Sequence, residues 1–329
     1  MNRRRTVRSR LAILAAACGL VLLATTAWAG ARVTVKLATA YPPGNEAMVA
    51  AEKFKELVEA RSRGGIEVQI FGGGAMGGER ETLQALKLGA VQAVTSGMMP
   101  LHMFAVKYGF LDAPFIMRDY EHFKKVWDGP LGSQVRKIFA DNRFSVGGIF
   151  YRGVRHTTAN KQILKADDLN GIKMRVPQDP SWVKIWSGLG TLPTVVALPE
   201  LFTSLQTGVA DASEGPASQL TSFKLNEVQK YLVLTGHMVA VGLMTLNDPF
   251  LAGLAKPDQE LILAASREAA AYTDTFMQEN ENKLIEGLKK GGMTPVMPDK
   301  VSFQTKARPA VADLFKTEWS VTTWDEVLK

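Results

Sequence analysis

The stretch Gly171-Ile-Lys-Met-Arg-Val-Pro177 decides the fold class of this chain. Its apolar residues alternate with Lys173 and Arg175, which is the two-residue period of a β-strand. Pro177 ends the strand, because proline has no N–H to continue a ladder. In an open α/β sheet the functional crevice lies outside the carboxyl ends of the strands. We therefore expect Arg175 at the edge of a crevice, where its guanidinium can bind a carboxylate. A solvated or structurally paired arginine is the alternative.

The region before this stretch alternates strands with helices. Strand patterns at residues 32–38, 66–71 and 91–95 are separated by amphipathic helical patterns at 46–62 and 79–88. This β-α-β-α-β order predicts a parallel, doubly wound sheet.

A glycine-rich turn follows the second strand. Gly72, Gly74 and Gly77 formally fit the G-x-G-x-x-G motif of dinucleotide-binding folds. Such a fold needs an acid on the ribose about 20 residues later, and no Asp or Glu lies between Glu81 and Asp112. We interpret the glycines as a flexible turn near the crevice, and we expect residues 111–116 to be extended.

The same alternation recurs after Pro177. Strand patterns at residues 194–197 and 209–212 are interleaved with helical patterns at 181–189, 199–206 and 215–225. The chain therefore holds two similar α/β lobes.

Three longer segments can connect these lobes. The extended runs at residues 144–158 and 231–245 each contain a central glycine, so they can cross from one lobe to the other. A long helix begins at Pro257, and its apolar stripe lapses at residues 278–282 before it resumes. A helix that lies across two bodies would show this pattern; an exposed polar middle is the alternative.

The N-terminus has the pattern of a secretory signal peptide. Five arginines within the first ten residues precede an apolar run from Leu11 to Trp28, and Ala27-Trp28-Ala29 fits the A-x-A cleavage rule. We expect residues 1–29 to be removed on export to the periplasm, by either the general or the twin-arginine route. A membrane anchor is the alternative.

Removal of the leader changes the charge. The whole chain carries a net charge of +7, and the five leader arginines leave without an acid, so the mature net charge is +2. This value argues against a nucleic-acid partner. The single cysteine, Cys18, leaves as well, and no eighteen-residue apolar run follows. We expect a soluble protein that is stabilised by its core alone.

The sequence lacks the usual signs of catalysis. Its four histidines have no metal-ligand spacing, and there is no G-x-S-x-G elbow or Walker loop. We therefore expect no metal, no cofactor and no enzymatic activity. Glu214 with Asp211 is the one carboxylate pair that leaves an acid–base role open.

Several blocks, taken in order, closely resemble one family, the extracytoplasmic solute-binding proteins of tripartite ATP-independent periplasmic (TRAP) transporters, DctP type. The resemblance covers nearly the whole mature chain. The blocks are Gly77-Gly-Glu-Arg-Glu81, Leu111-Asp-Ala-Pro-Phe115, Arg118-Asp-Tyr-Glu-His122, Gly171-Ile-Lys-Met-Arg-Val-Pro177, Leu205-Gln-Thr-Gly-Val-Ala-Asp211, Glu227-Val-Gln-Lys-Tyr-Leu232 and Leu234-Thr-Gly-His237.

The resemblance implies an α/β, two-domain, periplasmic-binding-protein-like (venus-flytrap) fold with a ligand cleft between the domains. We assign residues 30–153 and about 239–276 to domain I, and residues 154–238 and about 277–329 to domain II. The resemblance also implies a protein that closes over an organic carboxylate and delivers it to the small and large subunits of a membrane permease. We expect a monomer, and a dimer is the alternative. The alternatives are an exported α/β enzyme acting on a small carboxylate and a ligand-presenting partner of a membrane sensor.

The resemblance further implies which residues contact the ligand. Arg175 clamps the carboxylate and Arg155 assists. Polar family residues are replaced here by Ala40, Gly97 and Gly215, which argues against a polyhydroxy sugar acid and favours an acid with an apolar or aromatic body. The apolar groups are Tyr41, Met98, Met99, Trp182 and Leu198. The candidate ligand-binding set is Arg175, Arg155, Trp182, Gln178, Tyr41, Ala40, Gly97, Met98, Leu198, Glu214 and Gly215.

Overall fold

The structure is a computed structural model that describes residues 32–329. The expected signal peptide, residues 1–29, lies outside the described residues. Within the described part of the chain the strands are β1 (Val33–Ala38), β2 (Ile66–Phe71), β3 (Ala93–Ser96), β4 (Phe144–Ala159), β5 (Lys173–Val176), β6 (Leu192–Val195), β7 (Ala212–Pro216), β8 (Tyr231–Asn247) and β9 (Thr294–Val296).

Helices cover the strands. Between residues 32 and 329 they are α1 (Glu46–Arg61), α2 (Glu79–Leu88), α3 (Met99–Phe104), α4 (Tyr120–Asp128), α5 (Pro130–Asp141), α6 (Pro180–Gly188), α7 (Leu201–Gln206), α8 (Ala217–Ser222), α9 (Asp248–Ala252), α10 (Lys256–Lys290), α11 (Lys300–Thr317) and α12 (Trp324–Val327). Among these described helices, none combines the length and apolar character needed to span a bilayer.

The strands form one mixed sheet in the order β2-β1-β3-β8-β4-β7-β5-β6, with β9 beside β8. Strands β1, β2 and β3 are mutually parallel, and so are β5, β6 and β7. We call the part of the molecule around β1–β3 the first lobe and the part around β5–β7 the second lobe. The expectation of two similar α/β series is confirmed, while the division of the chain into domains at the residues given above stays a prediction.

Two long antiparallel strands join the lobes. The second half of β8 pairs with β3 in the first lobe, and the second half of β4 pairs with β7 in the second lobe. β4 and β8 pair with each other on both sides of the crossing, with register shifts around Gly153. Gly153 has φ +103° and Gly236 has φ +55°, values that favour glycine. The predicted crossing of both runs is confirmed.

The 35-residue helix α10 packs against β4, α1 and α8. It also completes the hydrogen bonding of β4 where the ladder is irregular. The Asp274 carboxylate accepts a hydrogen bond from the backbone N–H of Tyr151 at 2.5 Å, and the Glu281 carboxylate accepts one from Val154 at 2.6 Å. Glu281 accounts for part of the polar stretch at residues 278–282, because it supplies an acceptor to an N–H group that the bulge frees, whereas Gln278, Glu279 and Asn282 are exposed.

Three details of the sequence-based fold were wrong. Residues 106–112 form a 3₁₀ helix, although residues 111–116 were expected to be extended throughout. The sixth strand, expected at residues 194–197, begins two residues earlier. The seventh strand, expected at residues 209–212, lies instead at Ala212–Pro216, because a turn at Gly208 leaves Val209 half exposed and the following residues pair with β4. Glu214 is therefore in a central strand of the sheet.

Candidate ligand-binding site

A cavity of about 40 Å³ lies between the two lobes, outside the carboxyl ends of their parallel strands. Its walls come from both lobes, since Tyr41 and Gly97 follow β1 and β3 whereas Arg175 and Pro177 lie at the end of β5. The lining residues are Tyr41, Glu79, Gly97, Met98, Met99, His102, Asp112, Arg152, Arg155, Arg175, Pro177, Trp182, Leu198 and Gln219.

Arg175 is a buried guanidinium, 3% exposed. Its Nε and Nη2 donate to the carbonyl oxygen of Val196 at 3.1 and 2.9 Å, and within residues 32–329 no carboxylate forms an ion pair with it. Burial lowers the pKa of Arg175, and the nearby charge of Glu214 only partly opposes this effect. A buried charge without a counter-ion is unfavourable, so the side chain is ready to bind an anion.

Arg155 already has a counter-ion. Its Nε and Nη2 each lie 2.6 Å from a carboxylate oxygen of Glu214, and its guanidinium lies over the Trp182 ring at 5.1 Å. Burial disfavours the charged form of Glu214, but Arg155 and His237 together outweigh burial and hold the pKa of that carboxyl at about 2. The Nε2 atom of His237 lies 3.2 Å from the same carboxylate. Arg155 therefore lines the cavity as a possible hydrogen-bond donor, while Glu214 neutralises its charge.

A second buried ion pair, between Arg152 and Glu46, lies beside the cavity. Arg152 bonds through Nε to Glu46 and lies over the Tyr41 ring at 4.5 Å. A Cβ at position 97 would be 2.7 Å from Arg152 Nη1, so the guanidinium occupies the space beside Gly97. Only glycine at that position leaves room for this arginine.

Glu79, the first residue of α2, also reaches the cavity. Its Oε1 accepts hydrogen bonds from the backbone N–H of Gly97 at 2.6 Å and from the Tyr41 hydroxyl at 3.3 Å. These bonds fix one oxygen of the carboxylate and tie α2 to the end of β3. The cavity thus holds an acid close to the Arg152 guanidinium.

A histidine connects the lobes at the cavity wall. His102 of α3 lies with Nδ1 2.5 Å from Asp179 and with Nε2 2.9 Å from Asp112. Asp179 belongs to the second lobe, where it caps α6 by accepting from the N–H of Trp182. Burial opposes protonation of His102, but the two carboxylates outweigh it and raise the pKa to about 10. We call this cluster the His102 bridge.

A second contact between the lobes lies at the mouth. Arg80 of α2 donates from Nη2 to the backbone carbonyl of Gln178 at 2.8 Å. Together with the His102 bridge, this bond holds the walls of the cavity against each other. No cluster of three His, Cys, Asp or Glu side chains suited to a metal ion is found within residues 32–329.

Comparison with known proteins identifies the family. The profile of the family described as "Bacterial extracellular solute-binding protein, family 7" (DctP) matches residues 37–318. The chain belongs to this family.

Similar proteins support the assignment of this chain as a TRAP-type solute-binding protein. A solute-binding protein of Verminephrobacter eiseniae is 33% identical over 292 residues, which is 88% of this chain and 87% of the relative. A TRAP periplasmic solute-binding protein of Polaromonas, crystallised with D-erythronate, has a TM-score of 0.84 at 32% identity and covers 90% of this chain and 98% of its own. Another, from Roseobacter denitrificans with bound L-galactonate, has a TM-score of 0.82 at 32% identity and covers 87% of this chain and 95% of its own.

The structure of this solute-binding protein brings together most of the residues expected at the ligand. The ones that line the cavity are Arg175, Arg155, Trp182, Tyr41, Gly97, Met98 and Leu198. Four others lie outside its walls: Ala40 is in the core beneath it, Gln178 is at the mouth, Glu214 is behind Arg155 and Gly215 is behind Gln219. Asp211 is half exposed and pairs with Lys173, so Glu214 and Asp211 take different partners.

Sequence reasoning missed Glu79, His102, Arg152 and Gln219 in this solute-binding protein. One of them carried a usable signal: Glu79 directly follows the glycine-rich turn at the carboxyl end of β2, where parallel sheets place functional groups. The partners of His102 are Asp112 and Asp179, which lie 10 and 77 positions later in the chain, and no local sequence pattern predicts such contacts.

Proposed function

We propose that this protein is the periplasmic solute receptor of a TRAP transporter. It captures an organic carboxylate through a salt bridge to Arg175, closes its two lobes over the ligand and delivers it to the small and large subunits of the membrane permease. The expected signal peptide would direct export and be cleaved in the course of it. The single observation that carries the proposal is the buried guanidinium of Arg175, which has an uncompensated charge and faces a cavity between two lobes.

The relatives support the nature of the ligand. D-erythronate and L-galactonate, the ligands of the Polaromonas and Roseobacter proteins, are both carboxylates. A charge-assisted hydrogen bond to a carboxylate contributes about 1.5–3 kcal/mol where water is excluded. Two such bonds from one arginine can hold the closed form, because closure is favoured only by ligands that bind it more tightly.

The size of the cavity restricts the body of the ligand. A volume of about 40 Å³ has room for about three water-sized groups, which is far less than the roughly 150 Å³ cavity that takes up benzene. Met98, Met99 and Leu198 supply the apolar walls. The sequence leaves open whether the part of the ligand beyond its carboxylate is aliphatic or aromatic. We therefore propose a compact aliphatic group.

We do not propose an acid–base enzyme. The candidate for that role, Glu214, is fully buried, and both of its oxygens are engaged by Arg155. Its pKa of about 2 also makes it a weak base.

Calorimetric titration with a panel of small mono- and dicarboxylates tests the proposal. We expect binding to be lost in Arg175→Ala and weakened at least tenfold in Arg175→Lys, because lysine cannot give the planar fork of donors. Arg267→Ala removes an exposed arginine from α10 and should bind as the wild type does. Unchanged affinity in Arg175→Ala, with the fold intact by circular dichroism, would refute the assignment.

A further inference from the structure

Gln219 is a buried amide with one free end at the cavity. The residue lies on α8, is 2% exposed and lines the cavity beside the arginines. Its Nε2 donates to the backbone carbonyl of Glu214 at 3.2 Å, which fixes the orientation of the amide. No residue between 32 and 329 donates a hydrogen bond to its Oε1, and this atom is not among the fully shielded polar atoms, so it faces the accessible space of the cavity. An acceptor at the cavity surface can take a hydrogen bond from a donor group of a bound ligand.

Gly215 creates the space that this amide fills. A Cβ at position 215 would lie 2.6 Å from Gln219 Nε2 and 2.9 Å from its Cδ. The backbone of Gly215 does not have a positive φ, so the glycine is needed for room rather than for conformation. Positions 215 and 219 therefore act as one unit, in which the short residue on β7 permits the long one on α8.

We propose that Gln219 selects ligands that carry a hydroxyl group close to their carboxylate, by accepting a hydrogen bond from that hydroxyl at Oε1. This inference rests on the proposed function and adds a second recognition point to Arg175. Both residues line one cavity with room for about three water-sized groups, so the hydroxyl must be on the carbon next to the carboxylate or one further.

The charges of the cavity favour a hydroxyl over an ammonium as the donor. Arg152 and Arg155 are paired with Glu46 and Glu214, so the guanidinium that an ammonium would meet without a carboxylate partner among residues 32–329 is that of Arg175. Like charges within a few ångströms in a site of low dielectric repel strongly. Glu79 is a competing acceptor, but its Oε1 is already used by Gly97 and Tyr41, and its negative charge repels the ligand carboxylate.

Matched pairs of acids test the inference on the purified full-length mature protein. The pairs are acetate with glycolate, and propanoate with lactate, which are the smallest matched acids, titrated calorimetrically. We expect the wild type to prefer the hydroxylated member of at least one pair by about tenfold, since a neutral hydrogen bond in a buried site has about that effect. Gln219→Leu keeps the side-chain volume but removes the acceptor, and its preference should fall to about one.

The outcomes separate this inference from the function on which it rests. If neither pair nor a wider panel of carboxylates binds the wild type, the proposed function fails and the inference fails with it. If acids bind but Gln219→Leu keeps the wild-type preference, the function stands and the inference is overturned. Loss of the preference in Glu79→Gln with retention in Gln219→Leu would place the acceptor on Glu79 and would also overturn it.

A double-mutant cycle tests the coupling between the two positions. Gly215→Ala should displace the amide and reduce the preference as Gln219→Leu does, and the double variant should show no further loss, because the two changes remove one interaction. Losses that add up would contradict the coupling. Thermal unfolding of each variant checks the fold, and Gln219→Leu alone decides the inference if Gly215→Ala does not fold.

Discussion

At the scale of single residues, the two arginines expected at the ligand differ in their charge balance. Arg155 shares two short hydrogen bonds with Glu214, whereas Arg175 bonds only to a backbone carbonyl. The resemblance to the family predicts both arginines at the ligand, but it does not say which of them has its charge neutralised by an acid of the protein. The structure gives Arg175 the free charge and makes Glu214 the internal partner of Arg155.

The stability of the protein should depend strongly on this internal pair. Glu214→Ala leaves Arg155 buried without a counter-ion, which costs about 3–5 kcal/mol in the free energy of unfolding. Asp211→Ala removes a half-exposed partner of Lys173 and should change the same free energy by less than about 1 kcal/mol. Urea unfolding of both variants measures the difference. Equal effects would mean that Arg155 finds another counter-ion or reaches solvent.

The residue scale also shows what the sequence could and could not predict. Arg175 was found because an alternating strand and a terminal proline mark its position locally. Gln219 and Arg152 were missed because each fills a space left by a glycine, Gly215 or Gly97, and such a space exists only in the folded chain. The seventh strand was misplaced because residues 209–212 alternate as a strand does, although the pairing with β4 begins at Ala212.

At the scale of elements, helix α3 of the first lobe and the start of helix α6 in the second are joined by the His102 bridge. The titratable groups that face the imidazole are Asp112, from the 3₁₀ helix after α3, and Asp179, the residue that caps α6. In the closed protein these acids hold the pKa of His102 at about 10, against burial. Opening would remove Asp179 and return the pKa toward its ordinary value of about 6.5.

Ligand affinity should therefore fall as the pH rises. The closed form holds its proton more tightly than the open form, so the bridge contributes fully below about pH 6.5 and is lost as the pH rises toward 10. Calorimetry from pH 6 to 9 should show affinity for a non-titrating carboxylate declining by up to about tenfold per pH unit. The His102→Asn variant should give a flat profile over that range. A wild-type profile that is equally flat would show that the bridge persists when the lobes separate.

At the scale of the whole molecule, the lobes are connected by β4 and β8, with α10 packed across them. Gly153 lies where the β4–β8 register shifts, with φ +103° and with Glu281 of α10 2.9 Å from the position of a Cβ. The sequence predicted the two crossing runs from their length and their glycines. It could not predict the acids of α10 that complete the bulge, because their partners are backbone groups more than 120 residues away.

Two glycine-to-alanine changes should have opposite effects on stability. Gly153→Ala is strained in its backbone and crowded by Glu281, so it should lower the free energy of unfolding by about 1–3 kcal/mol. Gly287→Ala lies on an exposed turn of α10, where no atom would be within 4 Å of the new methyl group, and should raise it by about 0.5–1 kcal/mol. Urea unfolding measures both. A neutral Gly153→Ala would mean that the crossing adapts to a side chain.

The pairing of β4 with β8 on both sides of the crossing limits how the protein can change shape. A sliding of one lobe along the other would break the ladder on both sides of Gly153, whereas a rotation about an axis near Gly153 and Gly236 leaves most of the ladder in place. The opening and shutting of the receptor should therefore be a change of angle, with the arginine-rich ends of the strands travelling furthest and the waist hardly moving.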